Sequence, residues 1–172
     1  MAIREIVTLP QAVLRRKARK VTDFGLELQT LLDDMIETMR EAPGVGLAAP
    51  QVDVPLQVIV VEYGGEEDEE APPKLYTVVN PEITRYSQER VAGTEGCLSI
   101  PGIQGDVERP EAITVKGQNR RGQVVTIKAK GWLARIFQHE IDHLEGVLFV
   151  DRAEKIWRVE EQPVQVMPAD PV

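Results

Sequence analysis

The 172-residue chain is predicted to be an α+β protein, with mostly antiparallel strands around a central helix and a further helix toward the N-terminus. Three observations predict that class. Apolar residues recur at helical spacing in two long stretches, near residues 23–41 and 132–144. Short β-branched runs lie between them. The strands are grouped, without the strand–helix–strand alternation that builds a parallel sheet.

Taken in order, Ile3 to Lys20 holds short apolar pieces around Pro10 and a basic cluster, Arg15-Arg16-Lys17, and reads as an extended, irregular start with its charges in solvent. A helix is expected from Asp23 to Glu41. Asp23 can cap it, Leu28, Leu31, Leu32, Met35, Ile36 and Met39 form its buried stripe, and Pro43-Gly44 stops it. A glycine-containing loop, Gly44 to Gln51, leads to Leu56–Tyr63, a β-branched run that reads as a buried strand. Gly64 to Pro73 is a polar acidic loop without the spaced carboxylates of a calcium site. Further strands are expected at Leu75–Asn80, Ile83–Ser87, Ile113–Gly117 and Val124–Ala129, the last two flanking a hairpin turn at Gln118–Gly122. Trp132, Leu133, Ile136, Phe137 and Leu144 then mark the central helix, and Gly146 is placed to end it as a C′ glycine. Past Asp151 come Pro163, Pro168 and Pro171, and residues 158–172 are expected to be irregular. With no internal repeat, residues 1–172 read as a single catalytic domain.

Composition narrows the function classes. A net charge of −8 argues against direct nucleic-acid binding, which needs basic surface to neutralise phosphate. No apolar run is long enough to span a membrane and no secretory leader is evident, so neither membrane nor export is expected. The single cysteine, Cys97, precludes an internal disulfide and fits a reducing cytoplasm.

The only two histidines, His139 and His143, stand four residues apart with Glu140 between them. On a helix, positions i and i+4 share a face, so both imidazoles can reach one ion while Glu140 stays near enough to handle a proton. This H-E-x-x-H arrangement makes the central helix the metal-binding one. A catalytic ion takes three protein ligands and keeps one position for water. Cys97, within Glu95-Gly96-Cys97-Leu98-Ser99, is the best candidate for the third, as a thiolate rather than a packed hydrophobe, and Gly96 lets the backbone approach closely. Gly44 and Gly46 permit a tight backbone path beside a ligand, and the segment lacks the Gly-Lys-Ser/Thr ending of a phosphate loop.

Three segments in order, Gly44-Val45-Gly46-Leu47-Ala48-Ala49-Pro50-Gln51, Glu95–Ser99 and Gln138-His139-Glu140-Ile141-Asp142-His143-Leu144, resemble the motifs of the peptide deformylase family, and the resemblance extends from the first helix to Asp151. It implies a bacterial cytoplasmic hydrolase that removes the formyl group from the N-terminal formylmethionine of nascent polypeptides and releases formate. It implies one divalent metal, Fe2+ first, with Zn2+, Ni2+ or Co2+ as alternatives. Under that resemblance Cys97, His139 and His143 hold the ion and Glu140 is the base. The side chain of Gln51 and the backbone N–H of Leu98 stabilise the oxyanion. Gly44, Val45, Gly46, Glu95, Gly96 and Ile136 border the substrate. The implied partner is an N-formylmethionyl peptide or nascent chain, with room for a transient ribosome contact. The segment Ile100–Gln104 departs from the pattern by lacking an arginine that some members place there. The competing reading is a zinc peptidase of the H-E-x-x-H type, for which no third histidine is available.

Overall fold

The computed structural model of the protein describes residues 2–64 and 71–159. Most of the acidic loop and all but the first two residues of the tail 158–172 therefore lie outside the described residues.

Strand β2 (Val58–Tyr63) shows how the core is organised. Its first four residues are all buried because the sheet is covered on both faces. Alternate side chains point opposite ways. Val58 and Val60 pack with Leu28, Leu32, Met35 and Met39 of helix α1 (Leu26–Glu41), and Ile59 and Val61 pack with Ile136, Phe137 and Leu144 of helix α2 (Gly131–Leu144). The sheet between the helices is antiparallel throughout. It runs in the order β1 (Gly46–Ala48), β2, β3 (Lys74–Tyr86), β6 (Ala112–Gln118), β7 (Val124–Lys130).

Several expectations are corrected. Helix α1 begins at Leu26 behind an N-cap Gly25 that has no side-chain cap. Asp23 does not cap it; its Oδ1 accepts the Gly25 N–H at 2.9 Å and closes a turn ahead of the helix. The two strands expected at 75–80 and 83–87 are one strand, β3, that passes through Pro81. The register shifts between Val79 and Glu82, where Asn80 takes a positive φ of 53°. A bulge is how a strand accommodates a residue that cannot donate to the ladder. Asn80 is held there by paired bonds to the Val21 backbone, accepting at 2.8 Å and donating at 2.9 Å.

The larger omission is a second sheet. Strands β4 (Arg90–Cys97) and β5 (Ile100–Pro110) form a hairpin, with β8 (Lys155–Arg158) on the far side of β5. Glycines at 93, 96, 102 and 105 interrupt any apolar alternation there, so the pattern was faint. The short helix α3 (Phe149–Arg152) and β8 lie ahead of the tail, β8 taking in Arg158, the first residue expected to be irregular. Helix α2 does end as expected, with Gly146 at φ 74° and Val147 N–H bonded to the Asp142 carbonyl at 3.0 Å.

Candidate metal centre

Cys97 is the last residue of β4, and the two-residue turn Leu98-Ser99 returns the chain into β5. Helix α2 lies across that turn and presents His139 and His143 from successive turns of one face. The sulfur of Cys97 and a ring nitrogen of each histidine lie within 4.8 Å of one another, and all three residues are buried. Cys97 Sγ and His143 Nε2 stand 3.4 Å apart. His139 Nδ1 is 3.0 Å from Glu95 Oε1. A carboxylate only accepts, so Nδ1 carries the hydrogen and Nε2 is left to a ligand. Phe149 stacks against the His139 ring at 6.1 Å between centroids and fixes its plane from the other side.

The donor set fits a divalent ion. Burial pulls the His139 pKa down, but the Cys97 sulfur and the Glu95 carboxylate outweigh it and push it up to about 10. The cluster is thus short of positive charge, and a cation among the three ligand atoms would supply it. His143, buried and facing cationic neighbours, is held well below the usual histidine pKa and is a neutral imidazole ready to coordinate. Burial also opposes ionisation of Glu95, yet the Arg109 guanidinium and His139 hold its carboxyl well below the usual range.

Glu140 is wholly buried, and among the described residues neither of its carboxylate oxygens has a hydrogen-bond partner. Such a group is costly unless something else occupies it, which marks a reactive position. Burial first, then the neighbouring Glu95 charge, raises its pKa to about 7 against the pull of His139 and Arg109. Gly46 of β1 lies directly opposite: a Cβ there would sit 2.5 Å from Glu140 Oε2.

Gln51 is oriented by its own turn. Its Oε1 accepts the Ala48 N–H at 3.0 Å, so the NH2 must face the site, where it reaches Ser99 Oγ at 3.2 Å and Cys97 Sγ at 3.6 Å. The irregular N-terminal segment stitches these pieces together, with Val7 N–H on the Gln51 carbonyl at 2.8 Å and Leu9 N–H on the Ser99 carbonyl at 3.0 Å. Leu98 adjoins Cys97, half-buried in the turn. Gly44 and Val45 form the half-buried bend between α1 and β1, and Gly96 is buried in β4.

Two of the residues expected to border the substrate are fully buried. Glu95 has no exposed surface and stands behind His139, bound by Arg109 and Arg135. Ile136 is equally buried, in the core cluster that holds Ala48, Ile59 and Phe137 and against which Val45 packs. Sequence reasoning also missed Arg109, Arg135, Ser99 and Phe149. Two of them left a signal: Ser99 ends the Glu95–Ser99 segment, and Arg135 stands four residues before His139 on the same helix face.

The family model for polypeptide deformylase matches residues 3–159. The peptide deformylase of Natranaerobius thermophilus is 50% identical over 161 residues, covering 94% of this chain and 99% of the relative. That of Symbiobacterium thermophilum is 52% identical over 161 residues, covering 94% of this chain and 71% of the relative. Among solved structures, the peptide deformylase of Thermotoga maritima superposes with a TM-score of 0.83 at 41% identity, covering 90% of this chain and all of that one. A class I type b peptide deformylase from Acinetobacter baumannii, bound to Met-Ala-Ser, superposes at 0.81 with 39% identity, over 88% of this chain and 98% of that one.

Proposed function

The chain belongs to the polypeptide deformylase family, and we propose on that premise the residues that perform its reaction and the metal that supports it. The reaction is hydrolysis of the N-formyl group of formylmethionyl polypeptides, with release of formate and a free amino terminus. The observation that carries the assignment is the convergence of Cys97, His139 and His143 beside the partnerless carboxylate of Glu140.

Cys97 Sγ and the two histidines would hold one divalent ion, which supplies Lewis acidity toward water and the formyl carbonyl. Glu140 accepts the proton of the attacking water, and the water oxygen bonds to the formyl carbon. The carbonyl electron pair moves onto oxygen. The side-chain amide of Gln51, already turned toward Cys97, and the backbone N–H of Leu98 donate to that oxyanion. Glu140 then gives its proton to the methionyl nitrogen as the C–N bond breaks. Burial raises this carboxyl toward neutrality before any ion is bound, as suits a group that must take and return a proton.

The substrate lies extended along the bend Gly44-Val45 and the free edge of β1 that begins at Gly46, adding a strand there. Gly46 leaves that edge flush against the base. The Acinetobacter structure with bound Met-Ala-Ser supports a peptide that begins with methionine. The ion is Fe2+, with Zn2+, Ni2+ and Co2+ as substitutes, and the thiolate makes the iron form oxygen-sensitive. The substrate is met on the nascent chain in the bacterial cytoplasm, by transient contact with the ribosome. A net charge of −8 argues against a lasting grip on its RNA. No helix among the described residues is long and apolar enough to cross a membrane.

A peptidase with the same helix motif is not favoured, because a buried cysteine stands where such enzymes use a carboxylate or a third histidine. The test is elemental analysis of anaerobically purified protein together with formate release from an N-formylmethionyl peptide. Iron with stoichiometric formate supports the reading. Cleavage of an internal amide without formate release overturns it.

A further inference from the structure

The carboxylate behind His139 is gripped by two arginines. Glu95 Oε1 accepts from Arg109 Nη2 at 2.8 Å and from His139 Nδ1 at 3.0 Å, while Oε2 accepts from Arg109 Nε at 2.6 Å and Arg135 Nη1 at 2.6 Å. Every lone pair in the carboxylate plane is used, so the group cannot rotate without breaking a charged bond. Arg109 alone would neutralise Glu95 in a bidentate pair. A second guanidinium in the same buried place needs another reason, because a buried charge is weak evidence for stability.

Arg135 has the contacts of a part that fixes position. It lies on α2 one turn before His139. Its Nη1 also donates to the Val107 carbonyl at 2.8 Å on β5, and its Nη2 to the Val91 carbonyl at 2.6 Å on β4. Trp132 covers the guanidinium at 5.2 Å. The cradle is cut to fit: a Cβ on Gly93 would fall 2.9 Å from Arg135 Cζ and Nε. Arg135 is thereby locked to both strands of the hairpin that delivers Cys97, and through Glu95 to a ligand on its own helix.

We propose that Arg135 is a positioning residue of the metal centre: acting through Glu95, it fixes the angle at which the His139 imidazole meets the ion and so sets the affinity and geometry of the site. The inference rests on reading Cys97, His139 and His143 as the ligands. Removing such an outer partner typically weakens metal binding by about 10- to 100-fold.

The experiment loads wild type, Arg135→Met, Arg135→Lys and Gly93→Ala with Co2+ under anaerobic conditions and records affinity by chelator competition and the visible spectrum. Wild type gives ligand-field bands and thiolate charge transfer. Arg135→Met weakens Co2+ by roughly 10- to 100-fold and shifts the ligand-field bands, and Arg135→Lys restores part of both. Gly93→Ala, which displaces the guanidinium from the strand side with Arg135 intact, reproduces the shift. Should Arg135→Met not fold, Gly93→Ala and Arg135→Lys decide the matter. Wild-type affinity and superimposable spectra in the folded variants, whatever their melting temperatures, overturn the proposal. Absence of thiolate charge transfer in wild type itself would instead overturn the ligand assignment beneath it.

Discussion

Glu140 and Gln51 do different work, and substitution separates them. Glu140→Ala keeps all three ligands, so metal content measured after dialysis should match wild type. Turnover should fall by about 10²- to 10⁴-fold, the usual worth of a positioned proton-transfer group. Near-normal deformylation by that variant would exclude Glu140 as the base. Gln51→Ala removes one oxyanion donor and should lower kcat by about 10²- to 10³-fold while leaving peptide affinity close to wild type. Steady-state kinetics with a formylmethionyl peptide distinguish this from a simple binding defect. The pH profile follows from the same carboxylate. Burial raises its pKa to about 7, and only the ionised form accepts a proton, so kcat/KM should rise with pH along an acidic limb and fall as the group is protonated. A bound dication favours the carboxylate and moves that limb below 7. An activity that climbs on acidification through this range would contradict the assignment.

At the scale of elements, the close approach of β1 to α2 gives a sharper test. Gly46→Ala would put a methyl group 2.5 Å from Glu140 Oε2, and β1 cannot retreat because it is paired with β2 through Gly46 and Val61. The carboxylate must move, so activity should drop while bound metal remains; unchanged kcat would show that the strand gives way. Much of this architecture was legible in the sequence. The helix stripe of Leu28 to Met39 and the pair His139/His143 carry helical spacing, and the run Val58–Val61 is marked as a strand by its short length and β-branched composition. The β4–β5 hairpin was not legible, because Gly93, Gly96, Gly102 and Gly105 erase its alternation, two of them where a neighbour needs the room: the Arg135 guanidinium at Gly93 and the β8 backbone at Gly105. The setting of Glu95 was not legible either: its partner Arg109 comes from β5, and Arg135 and His139 come from α2, with no sequence spacing that ties them to residue 95.

Over the whole molecule, the five-stranded sheet holds α1 and α2 on opposite faces, and the cluster of Cys97, His139 and His143 joins the second sheet to α2. The two kinds of cohesion can be told apart. Met35→Ala, in the core between α1 and the sheet, should cost about 2–5 kcal/mol of stability with the metal site intact. Thermal melts paired with metal content check this, and loss of metal in the folded variant would contradict it. Removing the ion should leave a folded but less stable chain, since anything bound only to the native state adds stability by mass action. The most direct test of the central claim is formate release by anaerobic protein before chelation, after chelation, and after Fe2+ is restored, with Cys97→Ser alongside. Wild type should lose activity on stripping and regain it with about one ion per chain, while Cys97→Ser should hold the ion weakly and recover little. Full turnover by stripped wild type, or undiminished metal retention by Cys97→Ser, would contradict the account.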